Sequence, residues 1–152
     1  MKDWACAFIG TIGGLLATLV GGWDMGIIAL AICMLIDYMM GLIVAGVFHK
    51  SNKSDNGAID SRAGWKGLAR KFATFMLVIV GQLIDYVLGT TFLRDAIVLS
   101  FLTNEVISII ENAGLMGLPL PTALTNALEV LSKKAGECVK NAHNLTTEDK
   151  EK

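Results

Sequence analysis

Three stretches of the chain run long without charge. Trp4 to Gly22 carries none, Met25 to Phe48 carries only Asp37, and Phe72 to Leu93 carries only Asp85. A helix needs roughly 20 residues to cross the ~30 Å hydrocarbon layer of a bilayer, and all three stretches are of that order. A fourth apolar run, Ala96 to Ile110, is shorter and holds Glu105. Tilted, or with its polar side shielded by protein, it also crosses. The pattern predicts an all-α integral membrane protein of about four transmembrane helices, arranged as two helical hairpins. The expected spans are 4–22, 25–48, 72–91 and 93–112, within a membrane domain covering 1–121.

The polar intervals fit that reading. Gly21-Gly22-Trp23-Asp24 is a tight turn with an aromatic suited to the membrane interface. The interval 49–71 is a basic loop, with Lys50, Lys53, Arg62, Lys66, Arg70 and Lys71 against Asp55 and Asp60. Its Ser51–Gly57 part reads as a flexible polar loop. Ser61 to Phe72 reads as amphipathic, with Trp65 and Leu68 toward lipid and the basic residues toward headgroups. Gly114 to Pro121 is a turn region, and Pro121 suits the first position of a helix. Leu124, Ala127, Leu128, Leu131 and Ala135 then form a stripe at helical spacing, predicting an amphipathic helix over 122–139. Residues 140–152 are polar and read as a disordered tail.

Composition narrows the class. The chain is 53% hydrophobic and 18% charged, and carries 16 glycines, too little polar surface for a soluble domain of 152 residues. Thirteen Lys and Arg nearly balance fourteen Asp and Glu, so no basic excess points to nucleic acid. Cys6, Cys33 and Cys138 are widely spaced and form no metal-ligand pattern with His49 or His143. No small-x-small cleavage site follows the first apolar run before Asp24, so that run reads as a retained span. Lys and Arg near membrane ends stay cytoplasmic. Four spans then leave only Arg94 outside and place both termini in the cytoplasm. A three-span arrangement would export the tail with its lysines.

No catalytic constellation and no phosphate-binding glycine loop is present, so no enzyme, cofactor or metal is expected. Small residues recur at spacing four instead: Cys6, Gly10, Gly14, Thr18 and Gly22, then Ala29, Cys33, Asp37, Gly41 and Ala45, then Gly81, Asp85 and Gly89. Such rows let helix backbones approach closely. Gly10, Gly14, Gly22, Gly41, Ala45 and Gly81 are therefore candidate helix-packing positions, within one subunit or between copies. The heptapeptides beginning at Leu35 and Leu83 share five of seven residues, readable as an internal repeat or as coincidence within apolar sequence.

Intramembrane carboxylates cost about 2.5–3.5 kcal/mol on insertion scales and must be neutralised, paired or wetted. Asp37 is readable as a pore or gate residue or as a hydrogen-bonded structural group; Asp85 favours the structural reading. On a helical projection, Ser100, Asn104, Glu105, Ser108, Glu111 and Asn112 fall within an arc of about 140°. That face is expected to line water in an assembled state and to be sheltered beforehand, or else to lie at the interface. Lys71 and Arg94, placed near helix ends, are not expected to reach Glu105.

The later half of the chain resembles a known family. Leu93-Arg94, Asn104-Glu105, Ile107-Ser108-Ile109-Ile110-Glu111-Asn112 and Gly117-Leu118-Pro119-Leu120-Pro121 are similar to the toxin-secretion/phage-lysis holins. So are Asp37-Tyr38 with Gly41 and Ala45, the Ser61, Gly64, Gly67-Leu68 and Lys71 run, and Asp85. The resemblance covers roughly residues 30–135. It implies a phage-encoded homo-oligomer of the bacterial inner membrane, non-enzymatic and without cofactor. Such a protein forms lesions through which an endolysin, or a large toxin, passes as cargo. The other classes open to the residues are a small membrane channel or transporter with a defined oligomeric pore, and a structural membrane-anchor subunit of a larger complex.

Overall fold

A computed structural model describes residues 2–50 and 60–148. Among the described residues there are helices and no strand: α1 (Lys2–Leu19), α2 (Met25–Ile43), α3 (Ser61–Leu88), α4 (Phe92–Leu115) and α5 (Thr122–Glu148). α2 runs on into a π-helical stretch, Val44–Phe48. Two of these are long and apolar enough to cross a membrane, Met25–Phe48 and Ser61–Leu88; Cys6–Leu19 is a shorter apolar helix.

The helix ends are set by local chemistry. α1 stops at Gly21 and Gly22, whose φ angles of 80° and 105° suit residues without a Cβ. At Gly21 a side chain would also collide with Gln82 of α3. Asp24 caps α2, its carboxylate accepting from the Ile27 N–H at 2.9 Å. Asp60 caps α3 in the same way through Arg62 N–H, also at 2.9 Å. α3 closes on Gly89 in the left-handed conformation, and α4 on Gly117 in that conformation. α5 opens with the Leu124 N–H on the Pro121 carbonyl.

Two boundaries differ from the sequence pattern. The amphipathic segment 61–72 and the third apolar run form one 28-residue helix rather than a surface element followed by a span. Nothing between them breaks a helix: there is no proline, and Gly64 and Gly67 weaken it only modestly. α5 likewise runs past 139 to Glu148, through most of the segment expected to be disordered. The loop 51–57 and the last tail residues, 149–152, lie outside the described residues.

α4 is the central helix and packs against α2, α3 and α5. α2 turns Ile27, Leu30, Met34 and Asp37 inward at helical spacing, and Val44 and Ala45 continue that stripe. α3 answers with Thr74, Val78, Gly81 and Asp85. Val20, Ile27, Leu30, Met34, Val78 and Val98 form the apolar core, flanked by Phe75, Ile79, Ile97, Phe101 and Leu102. The α3–α4 crossing is close at Gly81. A Cβ there would sit 2.6 Å from Ile97 Cδ1 and 3.3 Å from the Arg94 Cα. Gly81→Val should therefore cost about 1–3 kcal/mol by overpacking, read as a lower melting temperature in detergent micelles.

The exterior is apolar. Trp4, Phe8, Leu15, Met25, Leu35, Val47, Phe72, Val87 and Leu88 are all exposed on α1 to α3 and the π-helical stretch. A soluble monomer rarely shows apolar surface this continuous; lipid or partner chains must cover it.

Candidate functional site

The inward stripes of α2, α3 and α4 bring polar groups together in mid-bundle. On α3, Lys71 lies on the same face as Thr74, Val78 and Asp85, so it points inward although it neighbours exposed Arg70 and Phe72. Its Nζ is 3.0 Å from Asp37 Oδ2 and 2.5 Å from Glu105 Oε2. Asn112 Nδ2 donates to the other oxygen of Asp37 at 3.0 Å. The side chains of Lys71, Asp37 and Glu105 are only 14%, 9% and 14% exposed. One ammonium thus serves two carboxylates, and three helices are tied at one level.

This corrects the expectation that Lys71 cannot reach Glu105. That expectation started the helix at residue 72 and left Lys71 at its end. The helix starts at Ser61, which puts Lys71 in its third turn. Hairpin symmetry was the available signal. Asp37 and Lys71 are equidistant from residue 54, within the α2–α3 connection, and Lys71 and Glu105 from residue 88, beside the α3–α4 turn. Antiparallel helices place such pairs near the same level, and a lysine stem spans the remainder.

A second cluster ties the far ends of the helices. Arg94, itself buried, donates from Nε to the Val20 carbonyl at 2.7 Å and from Nη1 to Asp24 at 2.5 Å and Asp95 at 2.9 Å. Its Nη2 reaches the Gly22 carbonyl at 3.4 Å. Asp85 supports it from below: the carboxylate accepts from the Leu93 and Arg94 N–H groups at 3.2 and 2.8 Å and from the Thr90 hydroxyl at 2.5 Å. Asp85, on α3, is therefore the cap of α4. Asp37 and Asp85 share a heptapeptide context but have different surroundings, a lysine and an amide for one and a helix N-terminus for the other. The two clusters are about 17–21 Å apart, by the 11 to 14 residues that separate them along α2, α3 and α4.

The Arg94 guanidinium bonded to Asp24 holds that carboxyl below its ordinary value. A lowered pKa in the folded state stabilises it above the usual carboxylate range, and the contribution is lost as pH falls through that range and below. The tie should therefore weaken below about pH 4. Melting temperature in micelles, followed from pH 6 to 3, should fall less steeply for Asp24→Asn than for the parent chain.

The polar arc of α4 divides. Glu105 and Asn112 turn into the bundle, Ser100 donates back to the Ala96 carbonyl, and Ser108 is half-buried. Asn104 and Glu111 are exposed on the subunit surface. The small-residue positions divide as well. Ala45 is buried and Gly81 sits in the α3–α4 crossing, whereas added Cβ atoms at Gly10, Gly14, Gly22 and Gly41 would meet nothing within 4 Å. Among the described residues no three His, Cys, Asp or Glu side chains converge as a metal site requires. The arrangement is an electrostatic tie among three helices.

Comparison with known proteins places these features in a family. Residues 14–133 match the model of a bacteriophage holin family. A protein of Listeria monocytogenes, described as uncharacterised, is 35% identical over 82% of this chain and 84% of its own length. A 14.9 kDa protein of Clostridium perfringens is 32% identical over 82% of this chain and 89% of its own. A probable holin of Bacillus phage phi105 is 34% identical over 64% of this chain and 67% of its own. No solved structure matches significantly. The matched region holds the end of α1, all of α2 to α4 with both polar clusters, and the start of α5, and on that match the chain belongs to the bacteriophage holin family, as a helical membrane protein.

Proposed function

We propose that this protein is a holin acting in the bacterial cytoplasmic membrane, where it oligomerises into lesions that release an endolysin, or a large toxin, and so trigger lysis. The observation that carries the reading is a helical unit apolar outside and ionic inside. Its inward polar groups are satisfied within one subunit, while Gly10 and Gly14 on α1 and Gly41 on α2 have open space beside them. A chain built this way rests in lipid as a closed unit and has unused surface for contact with other copies. In the lesion, the α4 face with Ser100, Asn104, Glu105, Ser108, Glu111 and Asn112 lines water. For Asn104 and Glu111, shelter before that point comes from neighbouring copies.

The topology belonging to this reading has four spans and both termini in the cytoplasm. It puts the Arg94 cluster near the outer surface and the basic start of α3 near the inner one, as the distribution of Lys and Arg favours. Single cysteines at residues 22 and 91 should react with an impermeant thiol reagent applied to intact cells, and one at residue 140 should not. Reaction at 140 overturns the topology.

Inducible expression with and without a co-expressed endolysin tests the function. Abrupt lysis dependent on the endolysin supports a holin. Tolerated expression with solute-specific uptake supports the small channel or transporter and overturns the holin reading.

A further inference from the structure

The first turns of α3 carry four cations, and these do not share a face. At 100° per residue, Arg62, Lys66 and Arg70 form a stripe about 80° wide, and Lys71 lies roughly 140° from its centre. Lys71 is consumed by Asp37 and Glu105. The other three side chains are exposed. Among the described residues none of them has a carboxylate within 4.0 Å. Their own helix holds no acid from Ser61 to Ile84.

Beside this stripe lies an apolar one. Trp65, Leu68 and Phe72 are 72%, 47% and 66% exposed. They run without interruption into exposed Met76, Leu77, Val80 and Leu83, the part of α3 apolar enough to cross a membrane. That continuity fixes the depth of the basic stripe: it stands where the hydrocarbon ends and headgroups begin. A nucleic acid or an acidic peptide would need the cations clear of lipid, and the apolar flank holds them against it.

We infer that Arg62, Lys66 and Arg70 form a binding surface for anionic phospholipid headgroups, with Trp65, Leu68 and Phe72 seated in the adjoining acyl layer. Guanidinium groups pair with phosphate oxygens in two-pronged fashion, and the ammonium adds a point charge. A lysine or arginine near an anionic membrane surface contributes about 1 kcal/mol, equivalent to roughly five-fold in affinity. The surface is independent of the proposed lytic function, since a channel or an anchor with this helix would carry it too.

The test uses the full chain with Trp4→Phe and Trp23→Phe, leaving Trp65 as the sole tryptophan, excited selectively over the tyrosines. It is reconstituted in phosphatidylcholine vesicles containing brominated phosphatidylglycerol or brominated phosphatidylcholine, whose chains quench tryptophan on contact. The expected result is preferential quenching by the phosphatidylglycerol, with a relative binding constant of about five or more at low salt, falling as salt screens the charges. Arg62→Gln with Lys66→Gln and Arg70→Gln should bring the ratio to about one, while Arg62→Lys with Arg70→Lys keeps a preference. A ratio near one in the parent, or an unchanged ratio in the triple glutamine variant, overturns the inference.

Discussion

Replacing Lys71 with methionine should destabilise the helical bundle by about 3–5 kcal/mol, the usual consequence of removing one partner from a buried ion cluster. Asp37 and Glu105 are then left close together in low dielectric without their shared cation, while the Asn112 amide stays bonded to Asp37. Two like charges so placed repel each other once the cation between them is gone. The loss should appear as a lower unfolding midpoint in mixed micelles titrated with a denaturing detergent. Neutralising the acids as well, with Asp37→Asn and Glu105→Gln in the Lys71→Met background, should recover most of it, because the penalty lies in uncompensated charge rather than in lost volume. If Lys71→Met alone matches the parent, the network contributes nothing to the closed state.

The second large effect is expected at the open glycines. Gly14 and Gly41 each have free space where a side chain would stand, so leucine is accommodated within the subunit. In an assembly whose backbones touch along these rows, the same leucine holds neighbours apart. Gly14→Leu and Gly41→Leu should insert normally and keep the parent's unfolding midpoint, yet give far fewer crosslinked oligomers and delay or abolish lysis. Gly81→Val is the contrasting case, since its neighbour is the subunit's own α4 and the damage should appear in stability. Normal crosslinking in both leucine variants would mean that the rows face only lipid.

Much of the architecture was legible because membrane helices announce themselves by the absence of charge. Asp24 and the paired glycines before it mark the start of α2, and Phe48 marks the end of its apolar stretch, where the chain leaves the helix. The start of α3 was less legible. Arg62, Lys66, Arg70 and Lys71 raise local polarity enough to suggest a surface segment, while the backbone has no reason to stop between Ser61 and Phe72. That single misplacement hid the ion network, because it put Lys71 at a helix end rather than three turns in. The inward positions of Asp37, Glu105 and Asn112 follow from helical spacing, but which of them share a partner depends on how three helices are staggered, and stagger is set by turns. Asp85 is a similar case: its spacing identifies an inward face, and only the Gly89 turn reveals that it caps the following helix. Charge counting reads Arg94 only as the lone cation of the outer side; that it also ties Val20, Gly22, Asp24 and Asp95 together depends on the fold.

In the proposed lesion a polar face, closed beforehand within the subunit and among its copies, becomes the wall of an aqueous opening. Ser108 is the position to probe, half-buried on α4 one turn from both Glu105 and Asn112. In a chain with Cys6→Ser, Cys33→Ala and Cys138→Ser, a Ser108→Cys substitution is exposed to a water-soluble, membrane-impermeant thiol reagent at intervals after induction, with an endolysin co-expressed. Almost no labelling is expected while cells remain intact, then abrupt labelling at the moment turbidity collapses. Equal labelling at every time point, with Glu105→Leu lysing on schedule, would contradict it.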